Sequence, residues 1–430
     1  MAPTLLIAAT VVLLSIDGLK PDYILQADAH GLSVPNLRRL VAEGAHARAV
    51  TGVYPTVTYP SHATMLTGVA PRAHRIYANH PLDPHSTNDG GWYWYTEDLG
   101  ARTLWEAAES AALVTASVDW PVSVGARVSH NIVQYWRAGN AEDRKLIRAL
   151  STPGLLSAAE AAVGPYPDGN DYTVSADRRR TAFVEYVLAE RKPDFLTAYL
   201  SGLDTEEHES GPYSPGTFAV LEILDELVGR IRARADVLAV VSDHGFLPSD
   251  KELHLNAALA GAGLLDVDDR GAVRDWKAFS WLEGGSAMIV LRDAEDEASR
   301  AVLRKVLTDL AADESNGIDS VLEGDDVLRL GGFPDAAFIV GLKRGFRTGS
   351  RVEGPVLEAG RPGGTHGYLP SVEAMDASFF LAGEGVPRGV DLGRIDMRDV
   401  APTLAALLGV SLPGAEGRNV LASSHAKEHP

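Results

Sequence analysis

Val11-Val12-Leu13-Leu14-Ser15-Ile16-Asp17-Gly18 is an apolar run of strand length that stops abruptly on an acid and a glycine. It reads as a buried β-strand, and the pattern repeats down the chain. A helix begins near Pro35 (Asn36-Leu37-Arg38-Arg39-Leu40-Val41). Thr181–Leu188 reads as a helix preceding a second strand, Phe195–Leu200. Val220–Ile231 carries apolar residues at helical spacing and leads to a third strand, Val237–Val241. Ala377–Leu381 reads as a late strand and Asp399–Leu408 as a short helix before a Pro/Gly-rich tail. Strands alternating with helices point to an α/β fold whose sheet is built from βαβ units. Tyr77–Tyr95 and Asp250–Trp281 look irregular and are read as loops or a small cap. No repeat and no low-complexity linker divides the chain, so one domain across 1–430 is expected, with cap or loop insertions near 77–140 and 250–285.

Composition narrows the function. The 430 residues hold 39 Lys and Arg against 58 Asp and Glu, a formal net charge of −19. Such a chain repels nucleic-acid phosphate, so duplex binding is not expected, and any small anionic substrate needs a local cation to collect it. The absence of cysteine excludes disulfide scaffolds, thiolate zinc sites, iron–sulfur clusters and cysteine nucleophiles. Met1–Ile16 carries no charged side chain, yet it is too short to span a bilayer and lacks the basic start of a signal peptide. Leu5–Thr10 reads as strand extension or as the remainder of a trimmed leader. A periplasmic or secreted location is the expectation, with the cytoplasm left open; no integral membrane segment is expected, and the oligomeric state carries no signal.

The strands end alike. The first stops at Asp17, the second at Gly202-Leu203-Asp204, the third at Ser242-Asp243-His244. Ligands of open parallel sheets bind outside the carboxyl ends of the strands. An acid after a strand is usually a turn or capping residue; three on one edge point to a cation site. Asp204 and His208, four apart, share one face if their segment is helical. Asp243 and His244 are adjacent, and His366 sits in the flexible frame Gly363-Gly364-Thr365-His366-Gly367. Carboxylate and imidazole donors without thiolate suit zinc, then manganese or iron. Of the 13 histidines, His62, His74, His80, His85 and His254 read as surface or hydrogen-bonded core groups.

Tyr54-Pro55-Thr56-Val57-Thr58-Tyr59-Pro60-Ser61-His62-Ala63-Thr64-Met65-Leu66-Thr67-Gly68 places a hydroxyl residue at the start of a helix that closes at Gly68. Helix N-termini favour anions. By itself Thr58 reads as an N-cap. With a metal at hand it reads as a nucleophile, because a threonine hydroxyl needs a base or a cation to become one.

Together these pieces resemble the nucleotide pyrophosphatase/phosphodiesterase family of the alkaline phosphatase superfamily. The matching stretches are Ser15–Leu19, Pro55–Gly68, Asp204–His208 with Gly211-Pro212, Asp243–Phe246 and Gly364–Gly367. Asp399–Leu404 through Gly417-Arg418 resembles the family's ending. The resemblance implies an alkaline-phosphatase-like sheet of mostly parallel strands sandwiched by helices, forming a single catalytic domain. It implies two zinc ions, one held by Asp204, His208 and His366, the other by Asp17, Asp243, His244 and the Thr58 hydroxyl. It further implies a phosphothreonine intermediate at Thr58, Asn79 on a non-bridging phosphate oxygen, and Tyr59 stacked on a base. The substrate would be a small phosphodiester or nucleotide. Two departures are visible: Ser61 replaces an asparagine common three residues after the nucleophile, and Arg75 replaces the glycine usual after His74. Trp92–Tyr95 are read as packing residues, while Trp120 and Tyr135-Trp136 are further candidates for the substrate pocket. Arg178–Arg180 and Asp293–Glu297 read as solvated charges. A phosphomonoesterase or phosphonate hydrolase on the same fold is the nearest alternative, and a non-catalytic metal-stabilised binding protein is the alternative from another class. The absent cysteine argues against a sulfatase, and the lack of a Gly-x-Ser-x-Gly elbow against a serine hydrolase. Dinucleotides, nucleoside triphosphates, nucleotide sugars and phospholipid head groups all stay open as substrates.

Overall fold

The computed structural model describes residues 9–88 and 90–422. Leu5–Ala8, read above as strand extension or leader, lie outside them, and the strand opens at Val11. Eight strands form the main sheet: β1 (Val11–Ile16), β2 (Ala45–His46), β3 (Thr115–Val118), β4 (His130–Ile132), β5 (Phe195–Leu200), β6 (Val237–Val241), β7 (Phe379–Gly383) and β8 (Val390–Asp391). They lie in the order β8-β2-β7-β6-β1-β5-β3-β4. From β6 to β4 every neighbouring pair is parallel, whereas β7 runs antiparallel to both β6 and β2.

The sheet is buried on both faces because β1 alternates its side chains between two cores. Val12, Leu14 and Ile16 pack with Leu37 and Leu40 of the helix Pro35–Glu43, Phe183 and Val187 of α2 (Val174–Arg191), and Leu224 and Leu227 of Pro215–Arg232. Val11 and Leu13 face Met65 and Leu66 of α1 (Thr58–Thr67), Trp105 and Leu404. The result is the helix–sheet–helix sandwich expected from the alternating pattern.

The register sets the site. Ile16 lies opposite Leu200 on one side, and Ser15 opposite Val241 on the other. Asp17, the Gly202 turn and Asp243 therefore leave the sheet at one level along one edge.

Asp250–Trp281 is not irregular. Leu247–Leu253 is the middle strand of a three-stranded sheet with Gly345–Thr348 and Leu357–Thr365. A helix, Leu255–Gly261, and the strands Leu265–Val267, Val273–Trp276 and Ala278–Leu282 follow it. Ala278–Leu282 begins an antiparallel sheet completed by Ser286–Leu291, Ala336–Leu342 and Ile318–Glu323. This inserted portion has its own apolar core around Leu253, Ile289, Leu303, Phe338 and Val340. Among the described residues, no helix is long and apolar enough to cross a membrane.

Candidate active site

The helix α1 opens with Thr58 in its first turn and closes on Gly68 in the left-handed conformation (φ 73°). The residue in the N-cap position is Val57, whose side chain makes no capping hydrogen bond. Thr58 is therefore not the N-cap, and its hydroxyl makes no hydrogen bond among the described residues. Its carbonyl oxygen pairs with Nδ1 of His62 at 2.8 Å, while Nε2 of His62 meets Ser15 Oγ at 2.9 Å. His62 Nδ1 also lies 3.7 Å from Asp243 Oδ2. Burial pulls the pKa of His62 down to about 3, so a neutral imidazole links α1 to Ser15 and Asp243.

Asn79 sits beside α1. Its Oδ1 accepts the Tyr59 N–H at 2.9 Å, which leaves its NH₂ free to donate. The Tyr59 amide is thus occupied, Pro60 has none, and the Ser61 N–H bonds Val57 O at 3.2 Å. Thr58 N–H is the first-turn amide left without a protein acceptor among the described residues, so the helix start offers fewer phosphate donors than its position suggests. His74, bonded through Nε2 to Thr64 Oγ1 at 3.0 Å, ties the segment carrying Asn79 to α1. Arg75, in the usual glycine position, keeps the left-handed backbone that favours glycine (φ 68°). Its side chain is exposed and lies against Gly100.

Five of the six predicted ligands fall into compact groups, and His208 lies beside them against Asp204. His244 Nε2 lies 3.3 Å from Asp17 Oδ1 and 3.4 Å from Asp243 Oδ2. The helix α3 (Gly202–Ser210) presents Asp204 and His208 on one face, with His208 Nε2 3.4 Å from Asp204 Oδ1. His366 Nε2 is 3.7 Å from that same oxygen, and its ring stacks on His244 at 3.7 Å. Ligand atoms of Asp17, Asp243 and His244 form one group within 4.8 Å of one another, and those of Asp204, His244 and His366 form a second. His244 is common to both.

The supporting contacts leave one face of each ligand free. His208 Nδ1 pairs with Gly364 O at 3.0 Å and His366 Nδ1 with Thr56 O at 3.2 Å, which directs both Nε2 atoms inward. Tyr199 donates to Asp17 Oδ2, and the amides of Gly18 and His244 hold Asp243 Oδ1 at 3.2 and 3.1 Å. Asp17 Oδ1, Asp204 Oδ1, Asp243 Oδ2 and both ring nitrogens of His244 are buried without a hydrogen-bond partner. Burial, then Asp204 and Asp243, push the Asp17 carboxyl well up; burial pushes Asp243 to about 7. Unpaired buried acids converging on unpaired imidazole nitrogens fit divalent cations. Gly363 and Gly364 let the strand before His366 cross α3, since a Cβ on either would collide with the carbonyl of His208 or Glu207.

Several site-supporting residues were not read from the sequence. Arg180 is 1% exposed, not a solvated charge. It pairs with Asp119 at 2.5 Å and Asp177 at 3.2 Å. Asp177 accepts the amides of Ser201 and Gly202 at 3.2 and 2.7 Å, capping the helix that carries Asp204 and His208. Burial raises Asp177 to about 6 against the pull of Arg180. Arg180→Met should therefore leave two uncompensated buried acids and lower stability by about 3–5 kcal/mol. Arg178→Ala, at an exposed ion pair with Glu226, should change it by less than about 0.5 kcal/mol. Denaturant unfolding of both variants checks this pair.

Tyr59 also needs correction. It is 1% exposed, its hydroxyl donates to Gln134 at 2.6 Å, and Trp92 covers it at 5.3 Å between ring centroids. The half-buried aromatic ring over Tyr59 is Trp92, against which His80 and Trp136 pack at 4.3 and 5.0 Å. Trp120 is buried against His62. A cavity of about 750 Å³ lined by His80 and Trp281 includes none of the predicted ligands.

Fold and site together define an α/β protein of the alkaline-phosphatase-like class, with a threonine at the start of a helix that His62 ties to a carboxylate–imidazole cluster. Residues 11–369 match the type I phosphodiesterase/nucleotide pyrophosphatase family, and the chain belongs to it. The venom phosphodiesterase CdcPDE of Crotalus durissus collilineatus is 25% identical over 235 residues, covering 51% of this chain and 23% of that protein. Mouse ectonucleotide pyrophosphatase/phosphodiesterase family member 3 is 25% identical over 231 residues, covering 51% and 22%. The match thus spans about a quarter of the length of these curated relatives. Among solved structures, human ectonucleotide pyrophosphatase/phosphodiesterase 5 superposes with a TM-score of 0.67 at 18% identity, over 96% of this chain and 99% of that one. An inactive threonine-to-alanine variant of the murine protein, in complex with AMP, gives a TM-score of 0.68 at 17% identity, over 97% and 99%.

Proposed function

We propose that the protein hydrolyses phosphodiester or pyrophosphate bonds of nucleotides or related diesters through a phosphothreonine at Thr58. The observation that carries this reading is the set of partnerless ligand atoms on Asp17, Asp204, Asp243 and His244 beside a threonine hydroxyl that caps nothing. Asp204, His208 and His366 would hold one cation, and Asp17, Asp243, His244 and Thr58 the other, zinc first by donor type. When bound, the pair supplies positive charge that lowers the pKa of the Thr58 hydroxyl and of water and offsets charge on the leaving oxygen.

Thr58 gives up its proton to solvent and its Oγ attacks phosphorus in line with the ester oxygen. That P–O bond breaks, and the alcohol or nucleotide departs. Water then attacks phosphorus and the bond to Thr58 Oγ breaks, so two inversions retain configuration. The Asn79 NH₂, oriented by the Tyr59 amide, and the Thr58 N–H donate to non-bridging oxygens throughout. Residues 1–430 act as one catalytic unit in this reading, because the inserted portion returns His366 to the main-sheet site. The AMP complex of the murine relative supports a small nucleotide as substrate. A periplasmic or secreted location belongs to the same proposal, by likeness to the venom phosphodiesterases.

The test compares bis-nitrophenyl phosphate, a nucleoside nitrophenyl phosphate and nitrophenyl phosphate at one pH. The diesters should have the higher kcat/KM. A monoester dianion needs a clamp for its extra charge, and neutral Asn79 provides none, whereas a second organic group gains burial on Trp92. Faster monoester turnover would replace this reading with a phosphomonoesterase.

A further inference from the structure

Glu207 is a buried acid of α3 to which the reaction above gives no task. It stands between Asp204 and His208 in the chain, is fully buried, and belongs to neither group of ligand atoms. Its Oε1 instead accepts the hydroxyl of Tyr23, from the helix Pro21–Leu25. Its Oε2 has no hydrogen-bond partner among the described residues and stands against Gly18, where a Cβ would lie 2.6 Å from that oxygen. Tyr23 Oη also accepts the Tyr213 N–H at 3.2 Å, just past the Gly211-Pro212 turn that follows α3. One side chain, Tyr23, therefore holds α3 at Glu207 and holds the chain that leaves it.

Tyr23 lies in the short segment that begins at Asp17, and this segment also holds the other ligand loop. The Gly18 N–H donates to Asp243 Oδ1 at 3.2 Å. Lys20, buried like Tyr23, donates through Nζ to Phe246 O at 3.3 Å and to Ala374 O at 3.1 Å. The Phe246 ring meets His208, His366 and His244 at 4.8, 5.2 and 5.7 Å between ring centroids. Gly18–Tyr23 thus braces Asp243 and the loop after His244 on one side and α3 on the other. Among the described residues, the Tyr23–Glu207 bond is the hydrogen bond of this segment that ends on α3 itself. A buried carboxylate with one partnerless oxygen is costly, and the cost is offset where the group fixes a geometry that the ligands need. We propose that Glu207 is a positioning residue: through Tyr23 it fixes Asp204 and His208 against the Asp17 segment, and so sets the two cation centres relative to each other. This rests on the two-cation diesterase reading and adds to it the residue that couples the centres.

The test uses the full chain as Tyr23→Phe and as the double variant Tyr23→Phe with Glu207→Met. Stripped protein is titrated with zinc against a competing chelator, and His208→Ala marks the binding step that belongs to the first centre. Tyr23→Phe keeps the Glu207 charge and removes only the bond; it should weaken that step by about tenfold or more and leave the other within about threefold. It should also lower the Tm of the metal-free protein, because it strands the carboxylate. The double variant replaces both partners by apolar groups, so its metal-free Tm should return close to the wild type's while the zinc step stays weak. At saturating zinc, both variants should lose about tenfold or more in kcat for bis-nitrophenyl phosphate with KM within about threefold, since Asn79 and the Thr58 N–H are untouched. Wild-type affinity for both cations in Tyr23→Phe overturns the proposal. Zinc binding that recovers together with Tm in the double variant makes Glu207 a packing residue and overturns it too, even where the single variant folds poorly. In both cases wild-type hydrolysis leaves the diesterase reading standing. A wild-type chain with neither two zinc steps nor diester hydrolysis overturns the proposal together with the reading it rests on.

Discussion

Thr58→Ala lowers hydrolysis of a nitrophenyl diester by at least about 10²–10³-fold and leaves the melting temperature near that of the unaltered protein. The two halves of this result separate a nucleophile from a structural residue. A threonine that capped its helix would cost about 0.5–2 kcal/mol on replacement by alanine. Here Val57 occupies the cap position, the first-turn Tyr59 amide is capped by Asn79 rather than by Thr58, and α1 is held by the His62 contacts to Thr58 O and Ser15 Oγ. The hydroxyl is thus expendable for folding. The residual rate of the variant comes from direct attack of water on a substrate still held by Asn79 and the cation ligands. Thr58→Ser, which keeps the oxygen, retains part of the activity, and rapid quenching of the serine or threonine form traps on the protein a phosphoryl group that still carries the second ester substituent. An alanine variant that turns over like wild type would move the nucleophile elsewhere and undo the assignment.

The parts of this molecule that sequence alone made visible are those whose meaning is local. Val11–Ile16, Phe195–Leu200 and Val237–Val241 were bounded correctly because unbroken apolar runs between acids admit few other readings. Asp17, Asp204 and Asp243 were legible because the chemistry lies in the side chain and the position in the strand end. What depends on pairing across the chain was not legible. Leu247–Leu253 carries Asp250, Lys251 and Glu252 in its middle, and its strand partners lie about a hundred residues downstream, so no local apolar pattern marks it. The late strand starts at Phe379, two residues after the expected Ala377, because Ala377 bridges to Val50 instead. Tyr199 reaches Asp17 through the register that sets it beside Ser15. The Arg180 error was avoidable: Asp177, Arg180, Phe183, Val184 and Val187 recur at helical spacing on a buried face. Tyr59 shows the opposite limit. Its neighbour fixed where its Cα lies, but the direction of its ring depends on Gln134 and Trp92, far away in sequence.

Protein purified without added metal should contain close to two equivalents of transition metal per chain, zinc foremost, and exhaustive chelation should abolish diester hydrolysis. The argument is electrostatic before it is chemical. Without cations the site brings together the buried carboxyls of Asp17 and Asp243 and the half-buried one of Asp204, where each is raised by desolvation and Asp17 also by the other two. The nearest imidazole, His244, has its pKa driven well down by burial and by His366, His208 and His62, so it offers lone pairs rather than charge. No lysine or arginine pairs with these acids among the described residues, and the partnerless atoms point at one another across 3.3–3.7 Å. Divalent cations reverse every one of these penalties, because they hold the acids ionised and use the neutral imidazoles as donors. Folding should be linked to them for the same reason: a ligand at a thousand times its Kd stabilises the folded state by about 4 kcal/mol, so chelation should lower Tm by several degrees. Zinc or manganese returned to the stripped protein should restore Tm and activity together. Retention of both Tm and diester hydrolysis in metal-free protein would mean that the acids are protonated partners of one another rather than ligands, and the two-cation reading would fall.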